Sequence, residues 1–315
     1  MPSKRIEHKA GRSKAAASKR ASQIASAAPP TISVRWLATA LVIVVLAAAA
    51  CAWGTLCFLF FQGSWQLLYH PSIAVTRTPA SGGMAFESVG FATDPAGQPQ
   101  LHGWWIPKEN AGRFTAIYLH GADGNLGGSV DALSLLHGAG LNIFAIDYRG
   151  YGQSRSKHPS ETTWREDAES AIAYLTGTRH IASQSIVLVG KDLGANLALE
   201  AAAAHSELGG VLLNAPMEFP VNAIFNDPRA RLVPAHMLAK DRYDLNAPAV
   251  DLRVPSLWLL WTPAQVSANE DKPQAYQNVQ ARKSLVWLTN SPDAEKNYYI
   301  ALTRWLGDLS AMPNP

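Results

Sequence analysis

The hydrophobic pattern begins with an unbroken apolar run. Residues 36–61, WLATALVIVVLAAAACAWGTLCFLFF, are twenty-six positions without a charge. At about 1.5 Å per residue, a helix of that length exceeds the ~30 Å hydrocarbon thickness of a bilayer. No polar stripe runs along it, as one would along a helix packed on a globular core. It also outlasts the apolar region of a cleaved signal peptide, continuing for ten residues past Cys51. A retained transmembrane helix is therefore expected over 36–61. Beyond it, short apolar runs alternate with helical periodicity, the mark of βαβ units around a mainly parallel sheet. Strands are expected over 84–93 and 101–107, joined as a hairpin across Asp94-Pro95-Ala96-Gly97-Gln98, and then over 114–119, 142–146, 186–189, 210–213, 255–261 and 284–288. Helices are expected over 130–137, 162–176, 193–205, 273–281 and 293–309. The interval 217–253, carrying Pro220, Pro228, Pro234 and Pro248, is too long for a plain connection and reads as a small helical cap.

Charge divides the chain. Residues 1–35 hold eight Lys/Arg against Glu7 alone, a net +7, while the remaining 19 basic and 23 acidic residues sum to −4. The basic character belongs to the leader, expected to be a disordered cytoplasmic tail, and gives no reason to invoke nucleic acid. With that flank on its N-terminal side, the anchor is expected to place residues 62–315 outside the cytoplasm, in the periplasm if the source is bacterial. Both cysteines, Cys51 and Cys57, lie inside the apolar run. The body then has no thiol nucleophile and no disulfide, and no Cys/His spacing suggests zinc. No cofactor motif is present either. The expected partners are the bilayer, through 36–61, and a small ligand or membrane protein of unknown identity.

The chemistry concentrates at one turn. A buried strand over 186–189 runs straight into Gly190-Lys191-Asp192-Leu193-Gly194, and an alanine-rich helix follows. Two glycines at that spacing allow a strained strand-to-helix turn that exposes the central side chain at a helix N-terminus, where unpaired amides favour negative charge. Three further stretches accompany it: Leu68-Tyr69-His70-Pro71-Ser72, Leu119-His120-Gly121-Ala122-Asp123-Gly124-Asn125, and Asp147-Tyr148-Arg149-Gly150-Tyr151-Gly152-Gln153-Ser154. The last reads as a structural loop.

With these motifs in this order, the chain resembles the α/β-hydrolase superfamily. It is most similar to the membrane-anchored, single-pass branch grouped with serine-aminopeptidase-like and prolyl-oligopeptidase-like hydrolases. The resemblance implies an α/β fold: an eight-stranded, mostly parallel sheet with helices on both faces and a small cap, preceded here by one transmembrane helix. It also implies a nucleophile elbow framed by Gly190 and Gly194, and an oxyanion hole from the backbone N–H groups of Ala122 and Leu193.

The triad the family would supply is altered at every position. Asp192 stands where the serine belongs, the acid would fall near Ala264, and the histidine would fall near Asp293, with no histidine after His236. Glu270 or Asp271 could replace the acid, but nothing nearby in sequence replaces the imidazole. An aspartate nucleophile is sound chemistry in dehalogenases and epoxide hydrolases of this fold, yet its ester intermediate needs a histidine-activated water. His158 and His236 are the candidate relocated bases. Lys191 is read as a solvated neighbour whose side chain diverges from Asp192. The favoured expectation is a pseudohydrolase in which Asp192 is a fixed anion that accepts the oxyanion-hole amides and fills the site itself. The alternative is an active ester, amide or Asp-nucleophile hydrolase. A third reading makes the body a scaffold, with Trp258, Trp261, Trp287 or Trp305 at an interface.

Overall fold

The computed structural model describes residues 32–262 and 272–312. The leader up to residue 31 lies outside them, as do Ala264, Glu270 and Asp271. The chain divides into two compact units, residues 1–56 and 57–315.

Helix α1, Val34–Gly63, is a single 30-residue helix, long and apolar enough to cross a membrane. Its end at Gly63 passes into a short turn, Ser64–Leu67, that belongs to the second unit.

That second unit is built on one eight-stranded sheet. Its strands are β1 (Glu87–Thr93), β2 (Pro99–Ile106), β3 (Thr115–Leu119), β4 (Asn142–Asp147), β5 (Ile186–Lys191), β6 (Gly210–Asn214), β7 (Ser256–Thr262) and β8 (Lys283–Thr289). They lie in the order β8-β7-β6-β5-β3-β4-β2-β1. Only the β1/β2 and β2/β4 pairs are antiparallel. The hairpin turn is fixed by Asp94, whose Oδ1 accepts from the amides of Ala96 and Gln98.

The continuous apolar runs of the central strands follow from burial on both faces. On one face Leu188, Leu213 and Trp258 pack with Trp164 of α3 (Glu161–Ala173) and Leu197 of α4 (Leu193–Ala204). On the other, Val187, Val189 and Leu257 meet Leu133 of α2 (Val130–Gly138) and Leu302 of α5 (Ala294–Ser310). Trp258 and Trp305 are buried in these layers, and Trp261 is half-exposed. The first two are core residues rather than interface candidates.

Three local expectations are corrected. The first strand begins at Glu87, because Met84 follows the left-handed Gly83 and is buried as a loop residue. The helix expected over 273–281 is only Gln274–Asn278, since Lys283 Nζ collects the carbonyls of Tyr276, Gln277 and Val279 at 2.8, 3.1 and 2.7 Å and caps it early. Helix α3 ends at Ala173 and continues as one wider turn, Tyr174–Thr178. It starts at Glu161, one residue earlier than expected, behind an N-cap at Ser160, whose Oγ accepts from Thr163 N at 3.2 Å.

Within 217–253 lie four short helical pieces, Asn222–Phe225, Pro228–Leu232, Ala235–Leu238 and Asn246–Asp251. They are tied to the body through Tyr243 and Leu245, which enter the α3/α4 face of the core.

Candidate functional site

Strand β5 delivers the turn at the centre of the sheet, and the two glycines make it possible. A Cβ on Gly190 would collide with the Gly194 carbonyl and lie 2.5 Å from Ala195 Cα. One on Gly194 would collide with the carbonyl oxygens of Leu119 and His120. Helix α4 thus packs directly on β3, and the residue between the glycines is forced out. Asp192 sits at φ 51°, ψ −123°, a conformation disfavoured for any side-chain-bearing residue. The strain is held by Asp192 N donating to Asn214 O at 2.8 Å and Ala195 N donating to Asp192 O at 2.9 Å.

The loop after β3 faces this turn. Asp192 Oδ2 lies 3.1 Å from where a Cβ on Gly121 would stand. The next peptide is fixed at its carbonyl: Ala122 O accepts from His70 N at 3.0 Å and from Tyr151 Oη at 2.8 Å. Among the described residues neither the Ala122 nor the Leu193 N–H has an acceptor. The loop after β4 is structural. Arg149 binds Asp167 of α3 through N at 2.8 Å and Nε at 2.5 Å, Ser154 Oγ donates to Asp147 O at 2.6 Å, and Tyr148 Oη donates to His120 O at 3.0 Å.

The self-filled site is not what the geometry provides. The Asp192 carboxylate accepts no backbone N–H among the described residues and makes no cap bond to α4. Its partner is Lys191, whose Nζ lies 3.8 Å from Oδ2. The expected divergence of Lys191 is therefore also corrected: its four-carbon stem lets the ammonium curl back over the turn. Both side chains are about half-exposed, so the pair is worth little in stability. Burial of the turn pushes the Asp192 carboxyl above the ordinary aspartate range, with Lys191 opposing the rise and Asp123 adding to it.

The histidines are dispersed. His158 stacks on Trp65 with ring centroids 4.8 Å apart, and His236 packs on Phe225 at 4.0 Å. Neither hydrogen-bonds Asp192. His120 is fully enclosed by Tyr148, Tyr151 and Trp164, with Nδ1 2.7 Å from Gly121 O.

One pairing escaped the sequence reading. His70–Pro71 forms a two-residue parallel bridge with Asp123–Gly124, and His70 Nδ1 lies 2.7 Å from Asp123 Oδ1. That places an imidazole–carboxylate pair on the loop carrying Ala122. A bridge of two residues has no periodicity to betray it.

At the late positions, Asp293 is the exposed N-cap of α5 and offers its carbonyl, not its side chain, to Asn297 N at 2.9 Å. A cavity of about 630 Å³ opens at the carboxyl ends of the strands, lined by Lys191, Asn214, Trp261, Ser291, Glu295 and Tyr298. Trp261 Nε1 donates to Asn214 Oδ1 at 2.7 Å, setting the indole as one wall.

A strained elbow on the fifth strand, opposed by a glycine loop after the third, is an arrangement with relatives. The sequence profile described as "Serine aminopeptidase, S33" matches residues 113–283, which is 171 of the 315 residues. The chain belongs to this family of α/β-hydrolases.

Among family relatives, YfhR of Salmonella typhimurium is 35% identical over 139 residues, covering 42% of this chain and 45% of YfhR. The membrane protein YNL320W of Saccharomyces cerevisiae is 31% identical over 138 residues, covering 43% of this chain and 47% of its own. The match thus spans about half the length of these relatives. The Pyrococcus furiosus esterase Pf2001 superposes with a TM-score of 0.57 at 18% identity, over 77% of this chain and 97% of that one, a likeness of fold.

Proposed function

We propose that this protein is a membrane-anchored α/β-hydrolase-family member that has lost hydrolytic turnover and acts by binding a ligand or partner at the strands' carboxyl ends. The observation that carries the reading is the company of Asp192. Its carboxylate pairs with an ammonium, and no imidazole among the described residues hydrogen-bonds it. An alkyl ester formed on this aspartate would lack a positioned base to activate the water that releases it, so the protein would modify itself and stop. The cavity beside Lys191 and Trp261 supplies a concave place for a ligand, with an aromatic wall and charges of both signs. The excess of Lys and Arg on the N-terminal flank of the anchor supports a cytoplasmic leader, with the body on the other side of the membrane.

The test uses the full chain in detergent micelles with p-nitrophenyl esters and a fluorophosphonate probe. No turnover and no labelling are expected, and Asp192→Ser by itself should leave both negative, because a serine there still has no base. Sustained ester cleavage that Asp192→Ala abolishes would end the proposal.

A second reading is favoured by the His70–Asp123 pair, an exposed carboxylate-oriented imidazole whose residue also donates its backbone N–H to Ala122 O. If an Asp-nucleophile hydrolase is present, His70 is its base. Activity would then fall by about 10²–10⁴ in His70→Ala, the usual range for a general base. His158→Ala and His236→Ala would leave it unchanged.

A further inference from the structure

The cap departs from an ordinary lid in what it touches and in what it leaves exposed. Its first helical piece, Asn222–Phe225, packs on the turn Ser64–Leu67 that immediately follows α1. Lys240 Nζ stands 4.1 Å from the centroid of the Phe61 ring, on the last apolar turn of α1. Tyr69 Oη lies 2.9 Å from both Asp241 Oδ2 and Tyr243 Oη, closing the same clasp a few residues later. Residues 57–67 and the cap belong to one compact unit, so the cap is held within a residue or two of the point where the apolar helix ends.

Around that clasp the cap exposes apolar side chains that its own core does not use. Met237 is 85% exposed, and Phe219 and Leu232 are each 61% exposed. On the helix itself, Phe58 and Leu59 are exposed at 59% and 61%. A shallow groove of about 410 Å³ runs beside Met237, between Phe225, Val233 and Pro234. Charge accompanies it: across 217–242 stand Arg229, Arg231, Lys240 and Arg242 against Glu218, Asp227 and Asp241. Arg229 is held by Asp227, and Arg242 donates to His236 O at 2.9 Å, whereas Arg231 and Lys240 are exposed at the rim. Apolar tips with flanking cations are the composition of a surface that lies in the interfacial zone of a bilayer.

We infer that the cap segment 217–242 docks on the leaflet from which α1 emerges, with Phe219, Leu232 and Met237 in the acyl boundary and Arg231 and Lys240 at anionic headgroups. The occupant of this face is thus lipid, because the anchor's own last turn continues into it. This inference rests on the membrane-anchored half of the proposed function and is independent of whether the elbow is inert.

The experiment uses the full chain with Cys51 and Cys57 replaced by serine and a single environment-sensitive fluorophore at one of three positions. These are Met237→Cys on the cap, Val45→Cys in the middle of α1, and Ile300→Cys, which is exposed on α5 at the opposite face of the sheet. Each protein is reconstituted in vesicles of phosphatidylcholine with phosphatidylglycerol that carry spin-labelled lipids. Labels at 45 and 237 should be quenched, 237 most strongly by a quencher near the headgroup, and 300 should remain open to aqueous iodide. Arg231→Gln with Lys240→Gln should raise the ratio of iodide-accessible to shielded label at 237 by about thirtyfold, in line with two cations near an anionic surface.

Quenching at 45 with 237 as water-accessible as 300 would overturn the docking while leaving the anchor standing. Absence of quenching at 45 would remove the anchor and the docking together. Shielding of 237 from iodide without quenching by the spin-labelled lipids would assign the face to protein, not lipid, and equally overturn the inference.

Discussion

Gly194→Ala is expected to lower the melting temperature of the body sharply. The added methyl has nowhere to go, because the atoms it meets are the carbonyl oxygens of Leu119 and His120. Those belong to the end of β3 and the loop after it, and β3 pairs with both β4 and β5. A flexible side chain can give way, but a backbone paired on both sides cannot. Overpacking against side chains already costs about 1–3 kcal/mol, so a backbone collision should cost about 3 kcal/mol or more. That is a large share of a total stability of ~5–15 kcal/mol. Circular-dichroism melting of the full chain measures it. The control is Gly128→Ala, at a position where an added Cβ meets nothing within 4 Å. Equal melting of the two variants would refute the close packing of α4 on β3.

Substitution at Asp192 should work in the opposite direction and separate two costs. The first is conformational: a side-chain-bearing residue at φ 51°, ψ −123° carries strain of about 1–3 kcal/mol that glycine would not. Part of this gain is returned, because glycine has about 0.5–1 kcal/mol more backbone freedom to lose. The second is electrostatic. Burial raises the native pKa of Asp192 above its unfolded value, so the native state binds its proton more tightly than the unfolded state does. Stability from this group is then greatest in acid and declines as pH rises from the unfolded value, about 3.9, through the raised native one. Asp192→Asn lacks that decline and keeps the strain. It should melt above the parent at pH 7 and converge with it below pH of about 4. Asp192→Gly should keep part of its advantage at both pH values. Melting curves at the two pH values decide the matter, and an asparagine variant less stable than the parent at pH 7 would contradict the buried-charge account.

These effects are opposite in sign although the residues are two apart, and the reason is what each position was shaped to do. Gly194 permits α4 to touch β3. Asp192 inherits a turn built to present a side chain, and pays for it with strain and desolvation.

The elbow was legible because its signal is local. Strand burial, two glycines at fixed spacing and an alanine-rich helix are adjacent in the chain, and each constrains the backbone directly. The same holds for α1, where length and uniform apolarity suffice, and for the core strands, whose two-sided burial leaves continuous apolar runs. The 273–281 helix was misjudged because its end is set by Lys283 reaching back to three carbonyls, a contact that propensity does not encode. The curl of Lys191 toward Asp192 was missed for a related reason. Strand alternation predicts where a Cβ points but not where a long flexible stem carries its charge.

By itself, then, the sequence determined the fold, the apolar helix, the turn with aspartate at its centre and the absence of any histidine after His236, all consequences of short-range covalent geometry and patterning. Only the tertiary structure decided the company these residues keep: Lys191 rather than the amides at Asp192, His70 beside Asp123, His158 and His236 stacked on aromatic rings, and the cap clasped to Phe61. Such pairings join segments that lie far apart in the chain, where the packing of the whole sheet, not any local preference, fixes which side chains meet.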